Sequence, residues 1–179
     1  MIPDFDANGN LPPGDLIRPT IKEFEDRFVN AEAEKVRREI YEGYRNYCKC
    51  LIALGVVSIQ WIDGSYTTKK PSPNDIDLVV HFDGMKIYLD KNLQIHFKNL
   101  IDINEMKRLY RCHPQFVLIY PQSEPDLYSY YILRYQHWLK WFSKDRNGNA
   151  KGLIEFDIQK NNYKSENENG GEVNHAQGT

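Results

Sequence analysis

Gly64-Ser65-Tyr66-Thr67-Thr68-Lys69-Lys70-Pro71-Ser72-Pro73-Asn74-Asp75-Ile76-Asp77 is the stretch whose reading decides the fold. The apolar, β-branched run from Val56 to Ile62 leads into it and the run from Ile76 to Phe82 leaves it, so both flanks read as strands. Side chains two apart on a strand point the same way. Asp75 and Asp77 therefore present two carboxylates on one face, with Ile76 between them turned to the core. Two carboxylates that close repel each other unless something positive stands between them. Mg²⁺ suits that place, because it is a hard cation that takes one or two carboxylates plus substrate phosphates. Gly64 lets the backbone approach a ligand, and the Ser65 hydroxyl can donate to a phosphate oxygen. If the chain turns helically after Gly64, the N–H groups of residues 64–66 add an anion cradle. Lys69 and Lys70 can neutralise charge on a triphosphate from the loop.

Outward from this centre, the N-terminal side reads as helix. Thr20 and Glu23 fit a capping box, with Ile21, Phe24 and Phe28 as the apolar stripe behind it. A longer helix is predicted from about Ala31 to Leu54. In it Val36, Ile40, Tyr44, Tyr47, Leu51 and Leu54 recur at three- and four-residue steps, and Gly55 is its stop. Residues 1–19 hold an Asn8-Gly9 turn signal and Pro12-Pro13-Gly14. They read as an extended arm across the body, packed through Ile2, Phe5, Leu11 and Ile17.

On the C-terminal side, Asp83-Gly84 reads as a turn, and helices are expected within Lys91–Ile101 and from Asn104 to Tyr110. A third strand, Phe116–Tyr120, is entered after Pro114. The helix that follows is capped by Ser123, carries Pro125 and Asp126 in its first turn, and lines one face with Leu127, Tyr131, Tyr135, Trp138 and Phe142. A turn at residues 145–149 leads to a last strand, Gly152–Gln159. Residues 161–179 have almost nothing apolar and read as a disordered polar tail. The expected architecture is α+β: one domain over residues 20–160, a small mixed sheet of four or five strands with helices packed on it, an arm before it and a tail after it.

The chain has 179 residues, 41% of them hydrophobic, and a net charge of −2. A core can form, and no overall basic character points to nucleic acid, so phosphate chemistry must rest on a local site. Cys48, Cys50 and Cys112 lack zinc-ligand spacing and read as free thiols of a reducing compartment. No signal peptide and no apolar run near ~18 residues is present, so the expectation is a cytoplasmic protein with no membrane partner.

Gly64-Ser65, nine intervening residues and Asp75-Ile76-Asp77 with apolar positions after it resemble the signature of the nucleotidyltransferase superfamily, the DNA polymerase β-like fold. The resemblance covers about residues 35–120. Ile2-Pro3-Asp4-Phe5-Asp6, Leu11-Pro12-Pro13-Gly14 and the segment from Asp145 to Gly152 also look like a small bacterial or phage branch of that superfamily. The resemblance implies Mg²⁺ or Mn²⁺ at Asp75 and Asp77, a nucleoside triphosphate held by Gly64, Ser65 and Lys69, and transfer of a nucleoside monophosphate to an acceptor hydroxyl. With little room for a separate acceptor domain, the acceptor is expected on a macromolecule, RNA or protein.

Members of the superfamily generally add a third carboxylate from the third strand. Here that strand carries no acid, and Gln115 stands where an aspartate is expected. Asp63, Glu155 and Asp157 are the substitutes, although Asp63 reads as a turn residue and the other two as the solvated face of an edge strand. His81 reads as a surface or sheet histidine. The missing acid also leaves room for a degenerate relative, which would bind a nucleotide or serve as the antitoxin-like half of a protein pair.

Overall fold

Residues 1–30 and 35–158 are described by the computed structural model. Four strands, β1 (Val57–Asp63), β2 (Ile76–Asp83), β3 (Cys112–Ile119) and β4 (Ile154–Asp157), form one mixed sheet in the order β3-β2-β1-β4. β1 runs antiparallel to both β2 and β4, and β2 runs parallel to β3. With the helices α1 (Ile21–Glu25), α2 (Lys35–Leu54), α3 (Gly84–Leu89), α4 (Lys91–Leu100), α5 (Ile103–Tyr110) and α6 (Pro125–Phe142), this is a small α+β fold.

Alternation along the strands gives the sheet two different faces. Ile62 of β1, Ile76, Leu78, Val80 and Phe82 of β2, and Ile154 and Phe156 of β4 join the larger core. Ile40, Tyr44, Tyr47 and Leu51 of α2, Phe97 of α4 and Met106 of α5 complete it. α2 and α5 meet closely at Gly43, where a Cβ would stand 2.3 Å from the Tyr110 carbonyl oxygen. The opposite face carries a smaller cluster, Trp61, Val79, Val117, Phe142 and Leu153, under Tyr131, Tyr135, Trp138 and Leu139 of α6.

The Thr20–Glu23 capping box forms in both directions: Thr20 Oγ1 accepts from the Glu23 N–H at 3.1 Å, and the Glu23 carboxylate accepts from the Thr20 N–H at 2.8 Å. After α1 the chain widens into a π-helical turn, Asp26–Asn30. The expected start of the long helix at Ala31 lies outside the described residues, as do the proposed tail at 161–179 and the end of the last strand at Gln159. Residues 1–19 do lie across the body. Leu11 is buried, Ile2, Phe5 and Ile17 pack on the larger core, and Ile17 pairs in parallel with Ile154 at the sheet edge.

Three local expectations are corrected. Asp83-Gly84 is a helix start, with Asp83 Oδ1 accepting from the Lys86 N–H at 3.1 Å. Glu124, not Ser123, occupies the N-cap of α6, and it makes no side-chain capping bond. β3 begins at Cys112, four residues before the expected start, and runs through Pro114. An edge strand tolerates proline because one side of its backbone needs no ladder partner, and β3 is an edge strand.

Candidate functional site

The centre of the site is the junction of β1 and β2. Asp63 ends β1, and Gly64 reverses the chain at φ +78 into a 3₁₀ turn, Gly64–Thr67. An L-residue is strained at that φ. A Cβ on Gly64 would also stand 1.8 Å from Asp77 Oδ2, so the Asp77 carboxylate lies directly on the Gly64 backbone. The expected helical turn after Gly64 is therefore present.

The loop beyond is wrapped round one buried arginine. The guanidinium of Arg37, on α2, donates to the carbonyl oxygens of Phe28 (3.2 Å), Tyr66 (2.9 Å), Thr68 (3.0 Å), Lys70 (2.6 Å) and Pro71 (3.3 Å). Tyr66 stacks beneath it, 5.1 Å from ring centroid to guanidinium carbon, and donates its hydroxyl to the Arg37 carbonyl at 3.0 Å. Five donors on a rigid planar group fix four loop carbonyls and one helix carbonyl together. The signal for Arg37 was available in the sequence: it stands three residues before Ile40, on the buried stripe of α2.

Three carboxylates lie at or next to this junction, and each meets its own basic side chain. Asp75, just before β2, pairs with Lys107 of α5 at 2.9 Å. Asp77 Oδ1 meets His113 Nδ1 at 3.0 Å, and the two residues are in register between β2 and β3. Asp63 is in register with Asp77 on the other side and pairs with Lys151 at 2.5 Å. The outer two pairs are part-exposed, whereas the side chains of Asp63 and Lys151 are only 7% and 5% exposed. Burial pushes the Asp63 carboxyl up to about 7, which the Lys151 ammonium offsets only in part.

The sequence-level substitutes for a third acid separate accordingly. Asp63 is a buried strand residue, not a turn residue, and is the nearest further carboxylate to Asp77. Glu155 is not solvated. It is buried opposite Trp61, accepts its Nε1–H at 2.9 Å, and accepts from Arg18 Nε at 2.6 Å, so it fastens the arm to the sheet. Asp157 is farther along β4, opposite Ile59. Gln115 is opposite Val79, one alternation beyond the site; the β3 residue beside Asp77 is His113, with Gln115 Nε2 at 3.4 Å from His113 Nε2. Nδ1–H of His113 donating to Asp77 leaves Nε2 as the acceptor of the Gln115 amide. Lys69 is exposed, and its N–H is bonded to the Gly9 carbonyl of the arm at 2.9 Å. His81 is wholly buried between Trp61 and Tyr135, and desolvation lowers its pKa to about 4.

Asp75 and Asp77 are oxygen donors of the kind a hard divalent cation takes. Both are reachable from solvent, and their partners Lys107 and His113 are side chains in exposed contacts of small energy. Among the described residues no group of three or more His, Cys, Asp or Glu side chains is arranged to hold a metal ion.

Comparison with known proteins gives one match. A family model described as a family of unknown function (DUF6932) covers residues 3–157. No curated protein and no solved structure matches the chain. Among the described residues no helix is long and apolar enough to cross a membrane.

Proposed function

We propose that this chain, which belongs to the DUF6932 family, is a metal-dependent nucleotidyltransferase that moves a nucleoside monophosphate from a nucleoside triphosphate onto an acceptor hydroxyl. The observation that carries the reading is the packing of the Asp77 carboxylate on the Gly64 backbone. It brings the Asp77 carboxylate against the Gly64-Ser65 turn, so that a phosphate oxygen and a carboxylate oxygen can meet at one point. Asp75 and Asp77 would hold Mg²⁺ or Mn²⁺, which supplies charge neutralisation at the reacting phosphate and its leaving pyrophosphate.

The chain's own residues do the rest. Ser65 donates its hydroxyl to a phosphate oxygen, and Lys69 adds charge from the loop edge. The Arg37-centred loop is held before the substrate arrives, which lowers the cost of ordering it. His113 is the β3 residue in register with Asp77. With Nδ1–H on Asp77, its Nε2 would exchange the long contact to the Gln115 amide for the acceptor hydroxyl and take that proton as the hydroxyl oxygen bonds to the α-phosphorus and the bond to pyrophosphate breaks.

A second reading is a relative that binds nucleotide without transfer, or that acts as a nucleotide-binding or antitoxin-like partner module. The specific observation in its favour is that Asp63, the further carboxylate in register with Asp77, is spent on a buried pair with Lys151. One experiment decides. The protein is incubated with each α-labelled nucleoside triphosphate, Mg²⁺ or Mn²⁺ and cell lysate, beside the Asp75→Ala/Asp77→Ala variant. Transfer by the wild type alone supports the transferase. Transfer that survives the double substitution removes the assigned site, and nucleotide-dependent thermal stabilisation without transfer supports the second reading.

A further inference from the structure

The last turns of α6 and the hairpin that follows them enclose a cavity of about 680 Å³, away from the carboxylates. That volume is within the ~300–1,000 Å³ usual for ligand sites. Lys140, Lys144 and Arg146 line it, and among the described residues none of the three makes an ion pair with an acid. The one acid of the lining, Asp145, is turned into the hairpin. Its carboxylate accepts from the N–H groups of Asn147 and Asn149 and from the side-chain amides of Asn149 and Asn10, at 2.8 to 3.0 Å. The lining therefore carries three cations against one carboxylate, and that carboxylate is engaged by the hairpin's own amides.

Two aromatic rings complete the lining. Trp141 is 69% exposed, an unusual state for the largest apolar side chain, and His137 one turn earlier stacks on it with an interplanar angle of 18°. An exposed planar pair beside a lining of net positive charge matches one ligand chemistry: phosphates in line with unpaired bases, which stack on aromatic faces whatever their sequence. A duplex keeps its bases stacked on each other, and an acidic peptide has no ring to offer the platform. The hairpin also leads straight into the carboxylate site. The Lys151 N–H closes it on the Ser143 carbonyl at 2.9 Å, while the ammonium of the same residue pairs with Asp63.

We infer that this cavity binds a single-stranded nucleic acid, whose bases stack on Trp141 and whose phosphates meet Lys140, Lys144 and Arg146. That the strand is also the acceptor rests on the transferase reading; that it binds does not.

The test is fluorescence anisotropy of the full chain with a short labelled single-stranded RNA and its DNA counterpart, each competed with the matched duplex and with polyglutamate. Expected is binding of at least one single strand, with a log–log salt slope of about −2 from three phosphate contacts. Trp141→Ala should weaken it roughly tenfold and Trp141→Phe far less, and Lys140→Glu/Arg146→Glu should abolish it at moderate salt. Asp75→Ala/Asp77→Ala should bind the strand as the wild type does, and wild-type protein that binds the strand but transfers no label strikes the transferase reading alone. No binding at low salt, binding indifferent to Trp141→Ala in a variant that melts like the wild type, or equal competition by duplex or polyglutamate overturns the inference.

Discussion

Replacing Lys151 by Met should destabilise the protein by an amount that depends on pH, and the dependence follows from the burial of its partner. Asp63 is held near pKa 7 in the folded protein against an ordinary 3.8, chiefly by desolvation. An acid raised in the folded state binds its proton more tightly there than in the unfolded chain. Its contribution to stability is thus full below about pH 4 and is lost as pH rises to about 7. At ~1.36 kcal/mol per pH unit that span is worth about 4 kcal/mol. At about pH 5 Asp63 is mostly neutral, so Lys151→Met forfeits a hydrogen bond and some packing, about 1–2 kcal/mol. At about pH 8.5 the variant must bury a carboxylate with no partner, or hold a proton against the solution, and the loss should grow to about 3–5 kcal/mol. Urea unfolding at the two pH values measures this through the midpoint at constant slope. The Asp63→Asn/Lys151→Met variant should differ from the wild type without the same pH trend. Equal losses for Lys151→Met at both pH values would refute the claim that Asp63 and Lys151 form a charged buried pair.

Gly64→Ala meets both a positive φ and a Cβ position 1.8 Å from Asp77 Oδ2; about 2 kcal/mol of stability should go. Its nucleotide–Mg²⁺ thermal shift should go too, and a shift equal to the wild type's would count against the site. Arg37→Met leaves five carbonyls without their donor, and should cost about 3–5 kcal/mol and open residues 66–71 to proteolysis, read by limited digestion. His113→Ala should slow label transfer by roughly 10²–10⁴-fold with nucleotide binding largely kept; unchanged transfer would remove its assigned role. His81, lowered to about 4 from 6.5 by burial, contributes stability that is full above about pH 6.5 and is lost as pH falls towards 4, about 3 kcal/mol in all. His81→Leu should therefore unfold at a lower pH than the wild type in an acid titration followed by circular dichroism.

What was legible in the sequence was periodic or local. The stripe of α2, the capping box at Thr20 and the strands on either side of Gly64 each declare themselves within a few residues, and all three are present. What was not legible depends on partners far along the chain. Glu155 reads as solvated until Arg18, 137 residues earlier, and Trp61 are brought onto it. Asp63 reads as a turn residue until Lys151 arrives to bury it. β3 was read short because His113, Pro114 and Gln115 have no strand propensity to announce them. An edge strand beside Asp77 needs none, since the parallel ladder to β2 holds it. The register also moved attention from Gln115 to His113, a shift of two residues that no propensity scale contains.

Those misses share a face, and the face explains them. On β2, Ile76, Leu78, Val80 and Phe82 are all fully buried in the larger core, while the intervening positions hold Asp77, Val79 and His81. The neighbouring strands put Asp63 and His113 level with Asp77, and β4 puts Glu155 opposite Trp61. A central strand with helices on both faces ordinarily reads as a continuous apolar run. Here α6 covers Trp61, Val79 and Val117, with Tyr135 over His81, while Asp77 and His113 at the other end stay part-exposed. Stability alone does not account for that pattern, because burying Asp63 and His81 costs free energy that apolar residues would not. One face of the sheet carries the fold. The other is left half open with its charges paired, and the central-strand alternation is where the sequence records that division.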